Sequence, residues 1–428
     1  MRKLITCSVF VLLLLSNISL FAQNKMADAL KESLVEIDSN AQMGYTMNLE
    51  LFKRVSLDNK IIALGEATHG TKDFVDFRLS VIKNLVGELG YKAIVTESDF
   101  SSTLAIDNYI VLGKGNLRQC LQEMGYWMWN NPDFMKTVEW LKEYNASKEL
   151  KDRVHVYGCD MTVPSIIGQL ISGTQSLKKP LSGESITGLK LLRTWSTKSI
   201  AKYEELALEK LRQDLKAESL LYSDTSTFKN SISTILQVIS FRLISSGKGQ
   251  SAFRDKSMLD NINWIFNHEN GGKLIFLAHN LHIAKNPISD GWENVGSLLR
   301  KTYGAEYYAL GFCFYKGQFR AQDRYSGQSD IFNLEQVDKN FVEYTLNETN
   351  VSNFYIDLRL VKENRELDGL LLKKRPIRSV GAIFSNSKHD NIASSTNVVL
   401  SEVFDGIIFF EKTNAMSGSY AWEKKYAM

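Results

Sequence analysis

The chain has 428 residues, of which only 5 are proline and 4 cysteine. So little proline excludes long proline-rich linkers. Cysteines scattered at Cys7, Cys120, Cys159 and Cys313 exclude a disulfide framework. A dominant charge is also missing: Lys plus Arg number 51 against 48 Asp plus Glu, a formal +3. Nucleic-acid binders show their basic surplus in such totals, so no nucleic-acid partner is expected. Three chemical signatures are absent as well. There is no Gly-x-Ser-x-Gly elbow, which argues against a serine hydrolase of the α/β-hydrolase type. Neither a phosphate-binding Gly-x-x-x-x-Gly-Lys-Ser/Thr loop nor a dinucleotide Gly-x-Gly-x-x-Gly follows a strand. What the chain does have is core: hydrophobic residues make up 44% and aromatics 11%, which rules out a disordered or fibrous protein.

The first 22 residues read as a signal peptide rather than as part of the fold. Arg2 and Lys3 form a cationic start, residues 9–15 are continuously apolar, and Phe21-Ala22-Gln23 offers a small residue for cleavage. The apolar stretch is short for a membrane span and has no basic stop-transfer flank, so no stable membrane insertion is expected after cleavage. The reading is an exported monomer, periplasmic or secreted.

Short apolar or β-branched runs at 61–64, 93–96, 154–157, 274–277, 307–314, 354–358, 380–384 and 406–410 predict strands. Helical patterns alternate with them, such as Val75, Leu79, Ile82, Val86 and Leu89 closed by Gly90. Continuously apolar strands alternating with helices predict an α/β fold, a mostly parallel central sheet flanked by helices. From 165 to 267 no strand is signalled, and 189–221 and 228–246 read as long amphipathic helices. This predicts a helical lobe at 165–267, inserted as a cap between a first core part at 23–164 and a second at 268–428. Leu189, Leu192, Trp195 and Ile200 are expected to supply part of the wall over the site as well as the lobe's own packing.

Four of the predicted strands end in titratable groups, where an open parallel sheet places its ligands. Glu66 and His69 follow 61–64, Glu97 and Asp99 follow 93–96, Cys159-Asp160 follow 154–157, and His279 and His282 follow 274–277. Glu66 and His69 are three apart across a turn bounded by Gly65 and Gly70. A carboxylate beside an imidazole fixes its tautomer and suits it to act as a general base on water. Arg78, near the apolar stripe of the next helix, requires a carboxylate or an anionic group, because a buried unpaired guanidinium is costly. His69, His279, His282, Glu66 and Glu97 are all competent zinc ligands, so a metal-dependent hydrolase stays open beside a metal-free one. A non-catalytic protein whose histidines grip a haem-like ligand is the other alternative.

Several of these segments together resemble a known family. They are Leu64-Gly65-Glu66-Ala67-Thr68-His69-Gly70-Thr71, Arg78, Val95-Thr96-Glu97-Ser98-Asp99, Tyr157-Gly158-Cys159-Asp160-Met161, Arg254-Asp255-Lys256-Ser257-Met258, Ala278-His279-Asn280-Leu281-His282-Ile283-Ala284 and Phe404-Asp405-Gly406-Ile407-Ile408. In order and content they are similar to the erythromycin esterase family, over residues 55–415. The resemblance implies hydrolysis of a carboxylic ester, including a macrolide-type lactone, by activated water and without a covalent enzyme intermediate. It implies His69 as general base held by Glu66, with Arg78, Glu97, His279 and His282 completing the catalytic set. Glu97 would assist the leaving group, and the two later histidines would position substrate or stabilise the oxyanion. On the same motifs Asp99, Asp160, Arg254 and Asn280 are expected to bind substrate. A small-molecule ester is the expected partner, and no cofactor is expected. Gly70 follows His69 where the macrolide esterases carry an aromatic residue.

Overall fold

A computed structural model describes residues 25–40, 44–46, 49–162, 164–193, 196, 200–244, 248–288 and 292–419. The expected signal peptide at 1–22 and Trp195 lie outside the described residues. The fold is α/β, with a mostly parallel central sheet flanked by helices, as the alternation of strands and helices predicts. The chain divides into two compact units. The first comprises Met1–Asn48, Glu66–Thr71 and Leu310–Ala415, and the second Leu49–Gly65, Lys72–Ala309 and Met416–Met428.

In the second unit four strands lie in the order β1 (Ile61–Leu64), β4 (Leu274–Leu277), β2 (Ala93–Asp99) and β3 (His155–Asp160), all parallel. Every residue of β1, β2 and β4 is buried, because helices cover both faces of a parallel sheet and its strands can be apolar throughout. The strand β2 runs three residues further than its apolar core predicts, so Glu97 and Asp99 belong to the strand itself. The ladder of β2 with β3 shifts register between Thr96 and Asp99. Such a bulge re-aims side chains near a strand end. Gly158 permits it, since a Cβ there would overlap the Ser98 and Asp99 carbonyls.

Helix α1 (Lys72–Leu89) buries Phe74, Phe77, Arg78, Val81, Ile82, Leu85 and Val86. This stripe is offset from the predicted one, because the two bulky phenylalanines turn inward and leave Val75 and Leu79 half-buried. Helix α2 (Phe100–Leu112) begins at Asp99, whose side chain caps it.

Between β3 and β4 the described residues form five helices and no strand: Ser165–Ser172, Gly183–Leu191, Lys202–Ser219, Thr227–Leu243 and α3 (Lys248–His268). The single helix expected over 189–221 is two, ending at Leu191 and restarting at Lys202. Leu189 and Leu192 pack inward with Leu208, Leu211, Ile235 and Ile239, and partly buried Ile200 packs against them.

In the first unit β5 (Tyr307–Asp323), from Leu310 onward, pairs in parallel with β8 (Gly406–Thr413), and β7 (Asn353–Asp357) lies antiparallel to β8. The far half of β5 pairs antiparallel with β6 (Ser329–Leu334). Two expectations are corrected here. The strand predicted at 307–314 continues to Asp323, because beyond Phe314 the apolar run gives way to an alternation of buried and exposed residues. The strand predicted at 380–384 shrinks to Ile383–Phe384, with Val380 bridging Thr68 in isolation across Gly381. Cys120, Cys159 and Cys313 are all free and buried.

The segment Glu66–Thr71 is clamped within this unit. The Val380 N–H donates to the Ala67 carbonyl at 2.7 Å, the Arg320 N–H donates to the Gly70 carbonyl at 2.9 Å, and Thr68 and Thr71 hydroxyls lie 2.7 Å apart. A Cβ on Gly70 would fall inside the Arg320 backbone. Gly70→Ala should therefore lower the stability by about 1–3 kcal/mol or more and with it the urea midpoint; an unchanged midpoint would show that the segment moves freely.

Candidate functional site

Two clusters hold the residues singled out from the sequence, one in each unit. In the first, His69 Nδ1 lies 2.7 Å from Glu66 Oε1, both side chains largely buried. With the carboxylate accepting from Nδ1–H, Nε2 is the nitrogen placed to act as a general base. The turn supplies this geometry because the clamped backbone on either side of His69 fixes where both side chains begin.

The second cluster is built on the ends of β2, β3 and β4 together with α3. Arg254, on α3, donates from Nε and Nη2 to the Asp160 carboxylate, the shortest contact being 2.6 Å, and from Nη2 to Glu97 Oε1 at 3.0 Å. The other Glu97 oxygen accepts the His279 backbone N–H at 2.9 Å. His282 places Nε2 3.2 Å from Glu97 Oε1 and Nδ1 2.7 Å from Asp255 Oδ1. Asp160 also accepts from the Met161 N–H at 2.7 Å and the Thr162 hydroxyl at 3.2 Å, and Tyr126 donates to Thr162 at 2.6 Å. Arg254 Nη2 and the His279 N–H both donate to Glu97, an arrangement suited to an acceptor carboxylate. Burial opposes charge on His282, but Glu97 and Asp255 outweigh it and push its pKa up to about 10. At neutral pH the ring is an imidazolium, a donor and a fixed positive charge.

That shift has a measurable consequence. A histidine whose folded pKa stands above its ordinary 6.5 contributes stability that is complete below 6.5 and lost as pH rises through about 10. Wild-type stability should therefore fall more steeply from pH 7 to 10 than that of His282→Gln, as followed by urea denaturation. Parallel curves would remove the charge from His282.

The remaining expected residues take other places. Arg78 is buried in α1, and its Nη2 donates to the Leu64 carbonyl at 2.8 Å and the Ala278 carbonyl at 2.9 Å. It ties together the chain just beyond β4 and the last residue of β1, so these carbonyls supply contacts that the sequence led us to seek from a carboxylate or an anion. Asp99 Oδ1 accepts from Ser101 Oγ, Ser102 N and Ser102 Oγ at 2.5, 2.8 and 2.9 Å, a helix-capping role. Burial pushes its carboxyl up to about 6. His279 caps the short helix Asn280–Ile283, its Nδ1 accepting the Leu281 N–H at 3.3 Å, and Asn280 is buried at the start of that helix. Asp255 belongs to the cluster and was not singled out as a site residue, although it adjoins Arg254 in the sequence. Among the described residues no group of three or more His, Cys, Asp and Glu side chains is disposed to hold a metal ion. No described helix is long and apolar enough to cross a membrane.

Comparison with known proteins adds family and fold. A sequence model of the family described as erythromycin esterase matches residues 86–413. Erythromycin esterase type II of Escherichia coli is 23% identical over 411 residues, covering 86% of this chain and 93% of that protein. The crystal structure of a succinoglycan biosynthesis protein superposes with a TM-score of 0.76 at 22% identity, covering 92% of this chain and 98% of the other. That of an erythromycin esterase mutant in its open conformation gives 0.62 at 15% identity, over 88% and 96%.

Proposed function

Since the chain belongs to the erythromycin esterase family, whose relatives support a hydrolase, we propose that it cleaves a carboxylic ester, with His69 as the base that activates water. The observation that carries the reading is the 2.7 Å pair of His69 and Glu66 on a clamped turn. In the proposed reaction His69 Nε2 takes a proton from water as its oxygen attacks the ester carbonyl, and Glu66 stabilises the imidazolium. Collapse of the tetrahedral adduct breaks the C–O bond to the alcohol, and the imidazolium returns the proton to the leaving alkoxide. Acid and alcohol result, the base is restored, and no serine is required. We assign substrate binding to Arg254 and His282, the fixed positive charges of the second unit, with Glu97 and Asp160 as their anchors and Arg78, Asp99, His279 and Asn280 as supports of the same strand ends.

We include lactones in the proposed substrate class because one relative is named an erythromycin esterase. The test is a screen of linear esters and lactones, macrolides included, with wild type and His69→Ala in parallel. Release of acid by the wild type alone supports the reading; no turnover of any ester, or equal turnover by both, sinks it.

We also propose that the protein is exported after loss of residues 1–22. Mass spectrometry of the protein from its native cells should find an N-terminus near Gln23 in the periplasmic or secreted fraction, and an intact Met1 in the cytoplasm would contradict it.

A further inference from the structure

Asp255 is buried on α3, one residue beyond Arg254, and every polar contact it makes leads to one place. Its Oδ1 lies 2.7 Å from His282 Nδ1 and accepts the Val295 backbone N–H at 2.8 Å. Its Oδ2 accepts from Trp292 Nε1 at 2.7 Å, and the Trp292 ring stands edge-on to the His282 ring, 6.0 Å between centroids at 84°. The backbone behind the imidazole is held separately, since Asn294 Nδ2 donates to the His282 and Ala284 carbonyls at 3.3 and 2.6 Å. The ring's far nitrogen, Nε2, is left facing Glu97 Oε1 and Arg254 Nη1, each at 3.2 Å.

We propose that Asp255 is a positioning residue for His282: held by Trp292 and Val295, it fixes the plane of the ring and keeps Nε2 aimed at Glu97, beside Arg254. A buried carboxylate on one imidazole nitrogen decides what the other nitrogen does. The charged groups facing the ring are Glu97 from β2 and Arg254 and Asp255 from α3, so two carboxylates bracket it and one guanidinium stands beside it. With Nδ1 committed to Asp255, Nε2 is the nitrogen that directs a proton toward the cluster. Asp255 itself is walled in by Trp292, Val295 and His282 and acts only through that ring.

The proposal rests on the hydrolytic reading for its kinetic consequence, but its geometry is testable without it. Proton NMR of the wild type should show low-field imidazole resonances, as short hydrogen bonds to carboxylates do, with the one from His282 identified by its absence in His282→Gln. Asp255→Asn should abolish or displace that resonance while leaving the one from His69 in place. On an ester that the wild type cleaves, the same variant should raise KM by about tenfold to a hundredfold with kcat little changed, because it misaims a substrate-binding group. Asp255→Glu, which keeps the carboxylate, should restore part of both. If Asp255→Asn does not fold, Trp292→Phe, which removes one of the donors that hold Asp255, should shift the His282 resonance instead. An unmoved resonance in the variant that folds overturns the proposal, and so does an equal kinetic loss in Asp255→Asn and Asp255→Glu, which would mean packing alone. Should the wild type cleave no ester, the functional reading fails while the resonance still decides the role of Asp255.

Discussion

His69→Ala should lower kcat on a cleaved ester by about 10²-fold to 10⁴-fold, the usual contribution of a positioned general base, and leave the melting transition close to that of the wild type. The substitution removes a side chain that pairs with Glu66, on a turn whose backbone is held by main-chain hydrogen bonds to Val380 and Arg320. The turn should therefore survive the loss. Glu66→Gln separates the two halves of the pair. The imidazole remains, but the charge that stabilises its protonated form during the reaction is gone, so kcat should fall by less than in His69→Ala. Retention of more than half the activity by His69→Ala would take His69 out of the reaction. A loss in Glu66→Gln as large as in His69→Ala would assign the essential role to the carboxylate.

The sequence made some of this arrangement visible and hid the rest for physical reasons. The strands Ile61–Leu64 and Leu274–Leu277 are legible to the residue, because a strand buried on both faces needs an unbroken apolar run and turn or polar residues delimit it. The extension of β5 to Asp323 is hidden because its second half faces the core on one side only, and its partner β6 is mostly exposed. The pairing of Glu66 with His69 follows from local spacing. Arg254 with Asp160 does not, because 94 residues and a helical insertion separate them. Arg78 shows the limit most clearly. Its burial among apolar residues is readable from helical period, and its need for an oxygen partner follows from elementary electrostatics. Which oxygens meet that need depends on two strand ends, one of them 200 residues from Arg78 in the chain, and only the assembled sheet reveals them. Asp255 escaped for a related reason: an acidic residue in a helix next to an arginine reads as an ordinary solvated pair until the ring of His282 is placed against it.

The largest stability effect is expected from Arg254→Met. The guanidinium stands between Asp160 and Glu97, and Asp255 faces the other side of the adjoining His282 ring, so its removal leaves three buried carboxylates with the single imidazolium of His282 as their compensation. Breaking a buried pair by deleting one partner costs about 3–5 kcal/mol, because the remaining charge stays in a poorly solvating environment. Methionine matches much of the arginine stem in volume, so the loss reports charge and hydrogen bonds rather than a cavity. Arg254→Lys should recover only part of it, since an ammonium cannot reproduce the guanidinium's simultaneous contacts with Asp160 and Glu97. Lowering the pH protonates carboxylates and should narrow the gap between wild type and Arg254→Met, whereas a cavity defect would persist at every pH. Urea denaturation of the three proteins at neutral and acidic pH measures all of this. A midpoint for Arg254→Met within experimental error of the wild type at neutral pH would mean that Asp160 and Glu97 are satisfied without Arg254, by donors such as the Met161 and His279 N–H groups and the Thr162 hydroxyl.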